Sequence, residues 1–299
     1  MEEIGEMIGK GFGIWRSNLN LCIPFLLSIF VSMLILVPFL AAFFMTSLPI
    51  ESMNATLLLQ NDEDMQELLA QMQGSLGSLG MDKILQIAVL FLVLVVLLSL
   101  VNAFFTAGAI GMARQALEKG KSDTSDMWSA GKKHFFNMFL ATLLMGFLTL
   151  TGLVFLLPAL SQGTLSLQAD PQAMGLLAIG LLLFILYVLV LSVILATVPN
   201  VLVVQGLGPM QAVLASTNFL RYNKFDVVIL WLVVAALSLG LQMIGGAFST
   251  GGGAGGEPLS AITGIVNLLV LAPLSNLWWT RLYMNRKGML KVDEVKDPW

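Results

Sequence analysis

One cysteine and one histidine stand in a chain of 299 residues. Cys22 alone supplies neither a disulfide framework nor a thiolate metal cluster. His134 alone excludes most zinc sites and most histidine-based catalytic pairs. Charge is scarce too: 11% of the residues are Asp, Glu, Lys or Arg, where a soluble domain carries about 25%. Fifteen Lys/Arg and eighteen Asp/Glu cannot cover the surface of a water-soluble chain this long. The net charge of −3 and the lack of a dense Lys/Arg stripe exclude a nucleic-acid partner. No ionisable residue lies in the middle of a long apolar run, which argues against a proton relay, a carboxylate sodium site or an intramembrane metalloprotease. The glycine-rich stretch Thr250–Gly256 has no Gly-Lys-Ser/Thr ending and reads as a flexible linker, not a phosphate loop.

What fills the chain is apolar: 57% hydrophobic residues and a mean hydropathy of +0.88. A bilayer span needs about 20 mostly apolar residues. Six segments qualify, roughly 22–45, 84–112, 136–160, 174–205, 226–249 and 259–284. The expected fold class is therefore all-α, a single six-span membrane domain over 1–299 arranged as three helical hairpins. All of the fifteen Lys/Arg except Lys83 fall at the N-terminal segment, the second and fourth loops or the C-terminal end. The positive-inside rule then places both termini in the cytoplasm of a prokaryotic cell. Met1-Glu2-Glu3 and the long first apolar run do not fit a cleaved signal peptide, so the first helix is expected to stay as an anchor.

The longest outer loop, about 46–81, carries Leu57 to Leu59 and Leu68-Leu69 around Asp62-Glu63-Asp64, a pattern for short surface helices. Asn54-Ala55-Thr56 is a glycosylation sequon on that side. Three amphipathic segments precede the odd-numbered spans: Ile4 to Asn20, Ser125 to Phe136, and the stretch from Pro209 to Asn223. Their aromatic and basic residues suit the headgroup layer, with Trp15, Arg16, Lys132, Lys133, Arg221 and Tyr222 as interfacial anchors. His134, after two lysines, reads as a headgroup or surface residue, and Cys22 as a small apolar packing residue.

A weak internal repeat runs through the even spans. Asn102, Gly108 and Met112 match Asn200, Gly206 and Met210, and Asn276 with Thr280 matches Asn102 with Thr106. Each odd span is entered through an aromatic, a cation and an asparagine, which brings in Asn18 and Asn20, Asn137 and Asn223. Bonding between helices is the plain role for such side chains. Converging at one end of a central cleft, Asn102, Asn200 and Asn276, with Asn20, Asn137 and Asn223 nearby, would instead form a neutral, donor-rich vestibule for a substrate or lipid headgroup. Ala107 with Gly111 and Ala109 with Ala113 allow close helix packing, as do Gly240, Gly245 and Gly246. Pro24, Pro38, Pro158, Pro199 and Pro273 would free helix carbonyls for neighbours or a ligand.

The run Phe104 to Ala116, the Gly-Lys-Ser-Asp loop after it and Gly131-Lys132-Lys133-His134-Phe135-Phe136 resemble the middle of a prokaryotic six-helix family. Val198-Pro199-Asn200 through Gly206, Ala212 to Ser216 and Arg221-Tyr222-Asn223 extend the resemblance, which spans residues 5–285. That family is similar to the membrane domain attached to some glycerophosphoryl diester phosphodiesterases and to archaeal and bacterial proteins of the same layout. The resemblance implies a six-helix membrane fold; no segment between spans could hold the catalytic barrel, so it implies no activity and no cofactor. The residues point to a non-enzymatic, lipid-contacting scaffold or accessory subunit, with a cytoplasmic protein or a second copy as partner. The alternative is a small transporter or channel for a neutral or amphipathic solute.

Overall fold

A computed structural model describes residues 2–47, 81–161, 171–249 and 256–290. The short helices expected in loop 46–81, the Asn54 sequon and the linker up to Gly255 lie outside the described residues. The described residues are helical throughout, without a strand. Six helices are long and apolar enough to cross a membrane: Leu19–Phe43, Met81–Lys119, Thr124–Ala159, Met174–Gln205, Lys224–Gly246 and Ala261–Arg286. They fall within a few residues of the expected spans, except where the second and third run on past the apolar stretch. The chain is thus a multi-pass membrane protein by helix length and composition.

The chain divides into two compact units, Ser28–Val101 and the remainder, Met1–Leu27 with Asn102–Trp299. The smaller holds most of α2 (Ile23–Ser47) and the first half of α3 (Met81–Lys119). Both present Leu, Val, Ile and Phe outward, Phe30 and Leu92 each being 62% exposed, as lipid-facing helices must.

The larger unit begins with α1 (Ile4–Ser17), which buries Met7, Gly11 and Ile14 on one face. Asn18 ends it, and a 3-10 turn, Leu19–Cys22, leads into the first span. In the second half of α3 the run Ala107 to Ala113 is buried all round, with Ala107, Met112 and Ala113 at 0% exposure, as is Ala103 before it. Small residues let the next helix approach. A Cβ on Gly111 would collide with that of Ala130, and one on Gly108 would lie 2.6 Å from Met127 Cγ. Gly120, at φ +75°, stops α3 in a left-handed turn that a side chain would strain. Asp123 then caps α4 (Thr124–Thr151) in a reciprocal box with Asp126. The amphipathic stretch expected at Ser125–Phe136 is therefore the first part of one long helix with the span.

Three spans are interrupted in their α-helical bonding. A 3-10 turn, Gly152–Leu156, separates α4 from α5 (Leu157–Leu160), where Pro158 stands. The fourth span is α6 (Pro171–Leu195) and α7 (Val198–Gln205), parted at Ala196-Thr197. Pro199 causes that break, because its ring crowds the carbonyl four residues back and it donates no N–H. The sixth span is α10 (Gly256–Val266), a π turn at Asn267–Leu271 and α11 (Ala272–Arg286), again beside a proline, Pro273. The carbonyls near the last two breaks are taken by neighbours: Ser216 Oγ donates to Ile194 O at 2.8 Å, and Cys22 Sγ to Leu269 O at 3.0 Å. Between them lie α8 (Pro209–Tyr222) and α9 (Lys224–Ser249).

The repeat expected from Gly108 and Gly206 does not extend to their roles. Gly108 sits mid-helix against Met127, whereas Gly206, at φ +68°, is the left-handed end of α7. A closer likeness joins α1 and α8. Each has 14 residues, each ends Arg-x-Asn (Arg16 to Asn18, Arg221 to Asn223), and each asparagine amide donates to the carbonyl four residues back, at 3.0 and 3.1 Å.

Candidate functional site

The buried polar groups gather around α11, whose residues Leu277 to Met284 are all buried. Burying a polar side chain costs free energy unless it finds a partner, and the partners here come from other helices. Thr280, at 0% exposure, places its hydroxyl 2.9 Å from Asn200 Oδ1 on α7 and 2.8 Å from the Asn276 carbonyl. One hydroxyl hydrogen thus serves two acceptors and joins the fourth and sixth spans. Beside α7, Thr197 and Ser216 share a buried hydroxyl pair at 2.8 Å. Tyr283 packs at a tilt against Phe219, ring centroids 5.0 Å apart, and among the described residues its buried hydroxyl has no hydrogen-bond partner.

α1 is clasped to α11 by charge. Arg281, 3% exposed, donates from Nε and Nη2 to the two carboxylate oxygens of Glu2 at 3.0 and 2.8 Å. Lys10 Nζ reaches Glu2 at 3.2 Å and Glu6 at 2.7 Å. Arg286 donates from Nη2 to the Glu2 backbone carbonyl at 3.0 Å and pairs through Nε with Asp226 of α9 at 2.6 Å. Burial pushes the Glu2 carboxyl up, but hydrogen bonds and positive charge from Arg281 and Lys10 outweigh it, so its pKa lies below the ordinary value. Trp278 completes the clasp: its Nε1 donates to Ile8 O at 3.2 Å, and its ring fills the space where a Gly11 side chain would stand.

Of the six asparagines expected to converge, the structure brings together Asn200, through its side chain, and Asn276, through its carbonyl. Asn102 is exposed and accepts only from its neighbour Thr106, at 3.2 Å. Asn20 is exposed in the 3-10 turn, Asn137 is half-buried on α4, and Asn223 caps α8. Among the described residues no hydrogen bond joins these four to the Asn200–Thr280 pair. Of the expected anchors, Arg16, Lys132, Lys133, Arg221 and Tyr222 are exposed, and Trp15 is half-buried against Phe12.

His134 is a correction. Instead of facing headgroups it is 7% exposed, because it points inward beside Gly206, where a Cβ would lie 3.8 Å from its ring. Arg114 reaches the same corner, donating to Val204 O at 3.3 Å at the carbonyl end of α7. Sequence reasoning missed the Glu2–Arg281 pair, and it named Thr280 and Asn18 only as members of the repeat, not for the bonds they make. The Asn18 amide donates to Gly120 O at 3.0 Å and its oxygen accepts from Ser122 N at 3.2 Å. Arg281 carried a legible signal, being the only cation flanked by Trp278-Trp279 and Leu282-Tyr283; Asn18 carried none beyond its place in the Arg-x-Asn ending.

Residues 4–274 match the family described as Domain of unknown function (DUF7847). The chain belongs to that family. An uncharacterized protein of Archaeoglobus fulgidus is 25% identical over 297 residues, covering 95% of this chain and 96% of that protein. No solved structure matches.

Proposed function

We propose that this member of the family is a non-enzymatic scaffold or accessory subunit of a prokaryotic cell membrane. In this reading its six spans form three hairpins, both termini are cytoplasmic, and it contacts lipid while holding a cytoplasmic protein or a second copy of itself. The observation that carries the reading is the closed seam at Asn200 and Thr280, 4% and 0% exposed, whose polar atoms are bonded to each other. In the same unit Gly108 and Gly111 of α3 let α4 come into direct contact at Met127 and Ala130. The likeness to the membrane domain of glycerophosphoryl diester phosphodiesterases suits a domain that accompanies an activity without performing it.

A transporter or channel is the second reading, favoured by one observation: the fourth span is interrupted at Ala196-Thr197, and discontinuous helices line many transport sites. Proteoliposome flux with neutral solutes such as glycerol separates the two, alongside native mass spectrometry of gently extracted protein. The scaffold reading expects flux no greater than in empty vesicles, with a stoichiometric protein partner or an oligomer retained. Glycerol flux that Asn200→Leu abolishes would overturn it.

A further inference from the structure

The acids and cations at the basic end of the larger unit are unequally matched. Glu2, Glu6, Glu118 and Asp226 are each paired with a cation within the protein, and Asp123 and Asp126 are used in the helix cap. Among the described acids of this end only Glu3 is left over. The described cations Lys119, Lys121, Lys132, Lys133, Arg221 and Lys224 are all exposed and none meets an acid. Lys287, after α11, is in the same position. A chain with a net charge of −3 thus presents a locally positive rim.

The rim stands at a definite depth. On α4, Trp128, Lys132, Phe136 and Leu140 recur every fourth residue on one outward face, with Trp128 48%, Phe136 61% and Leu140 37% exposed. Below Phe136 that face is apolar, and above it lies charge. Phe225, 73% exposed, stands next to Lys224 in the same way, with the ammonium 5.4 Å from the ring. Exposed aromatics beside lysines at the edge of an apolar face mark the headgroup layer rather than open water.

We propose that this rim binds the phosphate headgroups of anionic lipids, centred on Lys132 and Lys133 between Trp128 and Phe136. The proposal rests on the membrane reading above and adds a lipid class and a place. Charge complementarity supplies the occupant: among the described residues the acids of this end, Glu3 apart, are used internally, so the neutralising charge is external. The aromatic neighbours place that charge in a bilayer instead of on a soluble acidic protein.

The test is native mass spectrometry of the full chain released from vesicles of mixed phosphatidylglycerol and phosphatidylcholine. Phosphatidylglycerol should be retained in preference, less so at high salt. The double variant Lys132→Gln, Lys133→Gln should lose roughly fivefold in that preference for each lysine removed, while Lys83→Gln leaves it unchanged. Equal retention of the two lipids, or a preference untouched by the double variant, would overturn the proposal. So would a soluble acidic protein held by the native chain and lost from the variant. A chain that fails to enter vesicles at all would instead bring down the membrane reading.

Discussion

The two pieces of the fourth span, α6 and α7, are adjacent in sequence and opposite in environment. α6 is mostly Leu, Ile, Val and Gly, and of its residues with described burial only Gly180 and Leu195 are buried. α7, eight residues long, buries Val198 and everything from Asn200 to Val204. The second half of α3 and the whole of α11 resemble α7. Within the larger unit, then, protein packs against protein at the basic end, whereas the apolar stretches of the spans are left for lipid. The lesson is that apolar character does not hold these helices together. Lipid tails solvate Leu as well as another helix does, so association depends on close approach and polar bonds. Those are the features concentrated at the basic end: Gly108 and Gly111 on α3, Thr280 with Asn200, and Arg281 with Glu2.

If that difference is real, substitutions at the packed end should cost far more than matched ones elsewhere. Arg281→Met should have the largest effect, about 3 kcal/mol, because it leaves the buried Glu2 carboxylate with Lys10 alone in place of the two-bonded arginine. Thermal unfolding in detergent measures it, and Glu2→Gln combined with Arg281→Met should recover a good part of the loss. The same pair governs pH dependence. Since the Glu2 pKa lies below 4.5, its ordinary value, the contribution of the pair is present in full above that pH. It is lost as the pH falls further, through the lowered value. The acid-side slope of unfolding should therefore flatten in Glu2→Gln, and an unchanged slope would show that the clasp is not ionic.

Gly111→Val should follow at about 1–3 kcal/mol, because its Cβ meets Ala130 and the helix backbone must give way. Thr280→Val, which keeps the shape but leaves Asn200 Oδ1 without its donor, should cost about 1–2 kcal/mol. Smallest of all are Gly146→Ala and Gly240→Ala, where nothing stands within 4 Å of the new methyl group. Each should be neutral or stabilising by up to about 1 kcal/mol through helix propensity. Should Gly240→Ala destabilise as much as Gly111→Val, the contrast between the two ends would fail.

Much of the fold was legible in the residues and much of the site was not. The six spans were readable because a bilayer demands about 20 apolar residues in a row whatever they touch. The α8 start was readable from Pro209, and the small residues Ala107, Ala109, Gly111 and Ala113 do lie in the buried half of α3. Gly240, chosen on the same spacing argument, faces open space instead, because spacing says which residues share a face and not what that face meets. His134 shows the same limit: two exposed lysines before it say nothing of a side chain turned by 100° toward Gly206. Asn18 and Thr280 act across 102 and 80 residues of chain, a separation no local pattern encodes.

Helix number, helix length and the clustering of cations at one end follow from the sequence alone, since each depends on the exchange of a single helix with water and lipid. Which polar groups find one another depends on the relative placement of helices distant in the chain. Only the tertiary structure could decide that Asn200 meets Thr280, that Glu2 meets Arg281, and that the lysines around Trp128 are left without an acid of their own.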